Sequence, residues 1–205
     1  MPGRSTTDPA YARRLLRLQG AWWKKILPVQ APYRWHLRRL RLGRVLDVGC
    51  GSGRNLGHLS NLGVVGVDHN ASLVKAARER GFVAYTPDEF RTSEFARPAT
   101  FDSLLFAHVL EHMPFTDAAE LLRQYLPYLR PGGRVVMITP QERGYASDPT
   151  HIEFMDFEKV RRLSNRMGLR VSRSYSFPLP RWMGRLFSYN EFVVVAALPQ
   201  GGTAG

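Results

Sequence analysis

The chain has 205 residues, of which 44% are hydrophobic and 22% are charged. This length suits one domain of ordinary size with short extensions, and the composition excludes a largely disordered chain. No apolar run approaches the ~20 residues that cross a bilayer as a helix. The single cysteine, Cys50, cannot form an internal disulfide, so we expect a cytoplasmic protein.

The net charge of +12 is concentrated near the N-terminus. Residues 1–44 carry eleven basic residues against one acid, whereas the rest of the chain carries eighteen basic and sixteen acidic residues. The excess charge therefore belongs to an N-terminal segment and says little about what the main body binds.

The N-terminal segment is predicted to form two helices. Apolar residues at positions 11, 15, 18, 22 and 26 follow helical spacing, and a second helix is predicted over 33–42. We interpret residues 1–43 as a lid over the sheet, which makes Tyr11, Tyr33 and Trp35 candidates for contact with a substrate. RNA binding by the interleaved arginines and aromatic residues, or an amphipathic helix at a lipid surface, are the alternatives.

The body, residues 44–199, alternates predicted strands with predicted helices. Strands are predicted at 44–48, 64–68, 82–85, 101–107, 134–139, 169–175 and 191–198, and helices at 54–60, 71–80, 117–129 and 156–167. This alternation predicts an α/β fold, Rossmann-like, with a seven-stranded, mostly parallel sheet and helices on both faces. Residues 200–205 are expected to be a flexible tail.

A glycine-rich turn joins the first strand of the body to its first helix. Gly49, Gly51 and Gly53 let the backbone turn sharply and let a ligand approach it closely. Asp68 stands at the end of the second strand, where it can accept hydrogen bonds from ribose hydroxyls. The G-x-G-x-G spacing, with Asp47 in front of it to repel a pyrophosphate, argues against a nicotinamide dinucleotide.

Four segments in this order resemble the class I S-adenosylmethionine-dependent methyltransferases. They are VLDVGCGSG at 45–53, VVGVD at 64–68, FDSLLFAHVLEHM at 101–113 and LRPGGRVVMITP at 129–140. The resemblance covers roughly residues 44–175 and implies that the chain binds S-adenosylmethionine and transfers its methyl group.

The resemblance also implies which residues surround the methionine and ribose of this cofactor. Asp47 and the glycine loop, including Cys50 as a small residue within it, would hold the methionine part. Backbone groups of Gly49 and Gly51 would lie near its carboxylate and amine, and Asp68 would accept hydrogen bonds from the ribose hydroxyls.

The resemblance likewise implies which residues lie near the adenine and the sulfonium. His69 would flank the adenine, and Asp88 is the candidate partner of its amino group, with Glu89 as a close alternative. Ala107 and His108, at the end of the fourth strand, would run beside the sulfonium.

Methyl transfer to an alkyl hydroxyl needs a positioned base or a metal ion, because hydroxyls are poor nucleophiles. The loop after the fifth strand carries His151 as a candidate base and acceptor contact. Glu153 would orient His151 or hold the acceptor hydroxyl. The structural alternative is that His151 only covers the cofactor.

The stretch His108-Val-Leu-Glu111-His112 is similar to the E-x-x-E-H pattern of ubiquinone-pathway O-methyltransferases, which is associated with a divalent metal. The resemblance makes His108, Glu111 and His112 candidate ligands of an ion such as Mg²⁺, although His108 replaces an acid that a hard ion would prefer. His108 is also a candidate catalytic group and His112 a candidate acceptor contact. In the alternative without metal, Glu111 and His112 serve packing and capping.

We therefore predict an O-methyltransferase whose acceptor is a small polar molecule, most similar to enzymes that methylate sugars or polysaccharide precursors, such as those of methylmannose polysaccharide biosynthesis. One alternative is an RNA or lipid-quinone methyltransferase that uses the basic N-terminal segment, although we do not expect nucleic acid as a partner. Another is a regulatory protein that binds the cofactor without catalysis. The aromatic stretch 175–192 is expected to close the pocket or to form a homodimer contact.

Overall fold

The structure, a computed structural model, describes residues 30–200 of the chain. The helix predicted over residues 10–26, Tyr11 and most of the predicted tail lie outside the described residues. Between residues 30 and 200, no helix combines the length and the apolar character that crossing a membrane requires.

A seven-stranded sheet carries the fold. Its strands are β1 (Val45–Val48), β2 (Val65–Val67), β3 (Ala84–Tyr85), β4 (Phe101–Ala107), β5 (Leu129–Pro140), β6 (Arg170–Phe177) and β7 (Glu191–Ala197). They lie side by side in the order β3-β2-β1-β4-β5-β7-β6, and β7 runs antiparallel to both of its neighbours while the other pairs are parallel. The predicted α/β class and mostly parallel seven-stranded sheet are confirmed.

Seven α-helices lie in the described part of the chain; the first precedes β1 and the other six connect strands. They are α1 (Ala31–Arg39), α2 (Arg54–His58), α3 (Ala71–Glu79), α4 (Pro87–Arg91), α5 (Phe115–Tyr125), α6 (Glu142–Tyr145) and α7 (Phe157–Arg166). Short 3₁₀ turns lie at Ser60–Leu62, Leu110–His112, Leu126–Tyr128 and Arg181–Arg185. The side chains of Asn70 and Asp156 accept hydrogen bonds from backbone N–H groups at the start of α3 and α7, which fixes where these two helices begin.

The local structure differs from the sequence-based expectation after β3 and at the start of β5, among other places. The segment after β3 forms α4, because Thr86 and Glu89 make a reciprocal capping box and Pro87 occupies the first helical turn. β5 starts at Leu129, five residues earlier than expected, and shifts its register against β4 between Phe101 and Ser103.

The core explains where a ligand can bind. All four residues of β1 are buried and β4 is buried along almost its whole length, so both strands are covered by packing on their two faces. The strand order reverses between β1 and β4, and the crevice at their carboxyl ends is the usual ligand position in such sheets. The glycine loop follows β1 and His108 follows β4, so both reach this crevice.

Candidate active site

A cavity of about 350 Å³ opens at the carboxyl ends of β1, β2, β4 and β5. Its lining includes Tyr33, His36, residues 49–52, Arg54, His58, Asp68, His69, residues 107–109, His112, Met113, Asp148, His151, residues 188–189 and Glu191. The cavity therefore brings the predicted cofactor loop and three of the predicted acceptor-side histidines to one place.

The glycine loop needs glycine for different reasons at different positions. Gly49 has a φ of +81°, and a Cβ there would lie 2.8 Å from Cβ of Val109. A Cβ on Gly53, φ +85°, would lie 2.6 Å from the Phe82 ring. Gly51, φ +56°, has nothing within 4 Å of the added Cβ and lines the cavity. Gly49 and Gly53 thus allow close packing, whereas Gly51 leaves space for a ligand.

Asp68 ties the end of β2 to the glycine loop. Its Oδ2 accepts a hydrogen bond from the backbone N–H of Gly51, and its Oδ1 accepts one from Asn70, each at 2.8 Å. The carboxylate still lines the cavity beside His69, whose Nδ1 lies 3.8 Å from Oδ1. Asp68 and His69 therefore both line the cavity, and their contacts with ribose and adenine stay predictions.

Asp47 lies beneath the loop rather than on the cavity surface. The residue is completely buried, and neither carboxylate oxygen has a hydrogen bond of ordinary geometry within residues 30–200. Burial raises the pKa of Asp47 to about 7, against the opposite influence of Asn55 and Arg54. The neighbouring Cys50 does line the cavity, and its burial raises the thiol pKa above the usual range, which makes it a poor nucleophile.

Asp88 and Glu89 are not brought to the cavity. Both lie on α4, where Asp88 pairs with Arg91 and Glu89 pairs with Arg78 at 2.7 Å. The ion pair and the hydrogen bond from the Thr86 N–H lower the pKa of Glu89 to about 2. Both carboxylates thus have other partners and neither residue lines the cavity, so the adenine contact stays a prediction.

The two described aromatic candidates on α1 differ. Tyr33 lines the cavity and donates a hydrogen bond from its hydroxyl to the carbonyl oxygen of Tyr189 at 2.6 Å. Trp35 is not among the lining residues; it is 56% exposed and lies under the guanidinium of Arg39, 5.1 Å from the ring centroid. Only Tyr33 is positioned to touch a ligand in the cavity.

His108 is held between two carboxylates. Its Nε2 lies 2.7 Å from Oε1 of Glu191 and its Nδ1 lies 3.3 Å from Oε1 of Glu111. Burial alone would lower the pKa of His108, but these two carboxylates raise it to about 9. Both ring nitrogens of His108 are therefore engaged with carboxylates, which disfavours its expected roles as general base and metal ligand; both roles stay predictions.

Glu191 is a cavity residue that the sequence reasoning missed. It is the first residue of β7 and is only 7% exposed. The sequence signal for Glu191 is an acid at the start of an otherwise apolar strand, EFVVVAA. Nothing in the neighbouring sequence indicates that this acid reaches the end of β4.

Glu111, His112 and His151 form a compact group, here called the Glu111 cluster. One ligand atom from each residue can be chosen so that all three atoms lie within 4.8 Å of one another. The Nε2 of His151 lies 3.9 Å from Oε1 of Glu111, and the two imidazole centroids are 4.8 Å apart. His151 therefore takes the place in this cluster that the sequence assigns to His108.

Glu153 does not join this cluster. Its carboxylate pairs with Lys159, and the residue does not line the cavity. The expected role of Glu153 in orienting His151 is instead filled by the backbone, because the carbonyl oxygen of Tyr145 accepts a hydrogen bond from Nδ1 of His151 at 2.7 Å.

Comparison with known proteins points to methyltransferases. The chain matches a family model described as a methyltransferase domain over residues 15–194. Proteins named ubiquinone biosynthesis O-methyltransferase are similar: that of Bradyrhizobium sp. (strain ORS 278) is 31% identical over 164 residues, and that of Paracidovorax citrulli is 30% identical over 152. These matches cover 67% and 66% of this chain but 64% and 63% of the relatives, so the chain spans less than two thirds of their length.

A solved structure with the same fold is a SAM dependent methyltransferase from Archaeoglobus fulgidus. It superposes with a TM-score of 0.64 at 21% identity and covers 80% of this chain and 92% of its own. At that identity the likeness concerns the fold, and it agrees with the Rossmann-like architecture described above.

Proposed function

Since the chain belongs to the methyltransferase-domain family, we propose that it transfers the methyl group of S-adenosylmethionine to a hydroxyl of an aromatic, quinone-type acceptor. The observation that carries the proposal is one cavity whose lining includes both the glycine loop with Asp68 and the histidines His112 and His151. A methyl transfer needs this arrangement, because donor and acceptor must be aligned in line with the breaking bond.

The cofactor side of the cavity has the groups that S-adenosylmethionine requires. Asp68 offers carboxylate oxygens for the ribose hydroxyls, and Gly51 leaves the space above the loop open. Arg54, at the start of α2, also lines the cavity and supplies a cation for the carboxylate of the methionine part. Within residues 30–200, Arg54 takes part in no ion pair.

The acceptor side combines imidazoles with apolar and aromatic surface. Met113, Tyr33 and Tyr189 form part of the cavity wall together with His112. An aromatic ring suits such a wall, and a phenolic hydroxyl ionises more easily than an alkyl hydroxyl, which lowers the demand on a base.

The expected sugar acceptor is accordingly revised. Sequence relatives bear the name ubiquinone biosynthesis O-methyltransferase, which favours the lipid-quinone alternative over a sugar. The basic N-terminal segment that this alternative invokes lies largely outside the described residues, so support for it comes from the relatives and from the cavity wall.

The proposal is tested by measuring formation of S-adenosylhomocysteine with matched acceptors. A catechol with a short isoprenoid chain is compared with simple catechol, with mannose oligosaccharides and with RNA. We expect turnover with the catechols alone. Turnover confined to the sugars or to RNA would overturn the acceptor class, and tight binding of S-adenosylhomocysteine without turnover on any acceptor would favour a regulatory protein.

A further inference from the structure

The Glu111 cluster is a group of hydrogen-bond acceptors that face one another in a buried setting. Glu111 is 0% exposed, and no hydrogen bond of ordinary geometry reaches either of its carboxylate oxygens within residues 30–200. Nδ1 of His108 lies 3.3 Å from Oε1 of Glu111 and offsets part of the cost of burying this carboxylate.

The hydrogen bonds of the two histidines determine which ring nitrogen carries the proton. Nδ1 of His151 donates to the carbonyl oxygen of Tyr145 at 2.7 Å, because a carbonyl oxygen can only accept. Nδ1 of His112 donates to the carbonyl oxygen of Thr150 at 3.2 Å. The Thr150 hydroxyl is itself 2.8 Å from Oδ1 of Asp148 and donates there, so it can only accept from His112.

In the neutral rings, Nε2 is therefore the nitrogen with the lone pair in both histidines. In His151 this atom lies 3.9 Å from Oε1 of Glu111. Backbone carbonyls that accept the Nδ1 proton of a histidine are the usual outer partners of metal-bound imidazoles, since they fix the ring orientation and its tautomer. Two such histidines beside the Glu111 carboxylate form the donor set of a 2-His-1-carboxylate site.

Mg²⁺, the ion suggested by the sequence pattern, does not fit this donor set. Mg²⁺ prefers oxygen ligands in an octahedral arrangement, whereas the cluster offers two imidazole nitrogens and one carboxylate. His108, which stands where the pattern has its first acid, has both ring nitrogens engaged with Glu111 and Glu191. Imidazole ligands favour ions such as Zn²⁺, Fe²⁺ and Co²⁺.

We propose that Glu111, His112 and His151 bind one divalent first-row transition-metal ion of the Zn²⁺ class in preference to Mg²⁺. His112 and His151 line the cavity, so the bound ion is accessible from the acceptor side. Such an ion supplies Lewis-acid stabilisation of an acceptor oxygen. Only this Lewis-acid role rests on the proposed function. Ion binding itself does not, because it can be measured without any acceptor.

The test uses untagged full-length protein freed of metal by chelation and dialysis. Calorimetric titration with Zn²⁺ and with Mg²⁺ should show one Zn²⁺ per chain, bound at least about 100-fold more tightly than Mg²⁺. Co²⁺ should bind with the same stoichiometry and give visible ligand-field absorption bands, and X-ray absorption of the Zn²⁺ form should show two imidazoles. These measurements on the unaltered chain do not depend on whether a variant folds.

The variants His151→Ala and Glu111→Gln should each weaken Zn²⁺ binding by about 100-fold or more, since each removes a direct ligand. His58→Ala is the matched control, because His58 also lines the cavity but lies outside the cluster. The proposal is overturned if the protein binds Zn²⁺ no more tightly than Mg²⁺. It is also overturned if His58→Ala weakens Zn²⁺ binding as much as the two cluster variants do. Methyl transfer by protein that binds no Zn²⁺ would overturn the metal site and leave the proposed function standing.

Discussion

The carboxylate of Asp68 lies 2.8 Å from the backbone nitrogen of Gly51 and accepts its N–H. This bond joins the end of β2 to the loop that follows β1, so one side chain both shapes the loop and offers oxygens to the cavity. A residue with these two tasks should affect stability and cofactor affinity together.

The substitution Asp68→Asn tests this double role. The second oxygen of Asp68 accepts a hydrogen bond from Asn70, so an amide in its place must turn its NH₂ group toward one of two N–H donors. We expect a loss of about 1–3 kcal/mol in the free energy of unfolding, together with weaker binding of S-adenosylhomocysteine. Urea unfolding and calorimetry measure the two effects, and a variant with full stability and full affinity would contradict the assignment.

Two glycines of the loop should respond differently to the same substitution. Gly49→Ala brings a Cβ to 2.8 Å from the side chain of Val109, whereas Gly51→Ala meets no atom within 4 Å. Both pay the left-handed φ penalty of about 1–2 kcal/mol, and Gly49→Ala loses about 1–3 kcal/mol more through the clash.

The affinity for S-adenosylhomocysteine should show the opposite order, with the larger loss in Gly51→Ala. The methyl group of Gly51→Ala projects into the space left for the ligand, so we expect a stable protein that binds S-adenosylhomocysteine about tenfold or more weakly, equivalent to about 1.4 kcal/mol. Thermal unfolding and calorimetry on both variants check this. Full affinity of Gly51→Ala would show that the ligand does not approach this part of the loop.

The order of the elements and the position of the cofactor loop can be predicted from the sequence because their signals are local. The glycine spacing around Gly51 and the acid at Asp68 occur within a short βαβ stretch. The capping box of Thr86 and Glu89 is also a local signal, and it predicts α4 once the reciprocal S/T-x-x-E pattern is recognised.

The pairing of His108 with Glu191, in contrast, has no local signal in the sequence. The two residues are 83 positions apart and meet because β7 inserts antiparallel between β5 and β6. No periodicity or motif near His108 predicts that insertion, so the sequence alone makes His108 an available ligand. The same holds for His151, whose loop folds back toward Glu111 through hydrogen bonds from the backbone N–H groups of residues 152 and 153.

His151 and Glu153 offer a matched comparison of two neighbouring predicted residues. His151 lines the cavity, whereas Glu153 pairs with Lys159 outside it. We expect His151→Ala to lower turnover by about 10²- to 10⁴-fold with little change in affinity for S-adenosylhomocysteine. Glu153→Gln should stay within a few-fold of the unaltered protein, and a larger effect of Glu153→Gln than of His151→Ala would reverse the assignment. Steady-state kinetics with the preferred acceptor provides the measurement.

Asp47 should make the stability of the cofactor-free protein depend on pH. Burial raises the pKa of its carboxyl to about 7 in the folded state, compared with 3.8 for the unperturbed group. The folded state therefore holds the proton more tightly, and the stability that this proton provides is complete below about pH 4 and is lost as the pH rises to about 7.

The substitution Asp47→Asn removes this titration. The free energy of unfolding should vary less between pH 5 and pH 8 than in the unaltered protein, with the variant gaining up to a few kcal/mol relative to it at pH 8. Asp88→Asn is the control, because Asp88 is exposed on α4 and should leave both the pH profile and the affinity for S-adenosylhomocysteine unchanged. Urea unfolding at several pH values measures the profile. If Asp47→Asn gives the same slope as the unaltered protein, the buried carboxyl is already ionised at low pH, and a positive group beneath the glycine loop must compensate it.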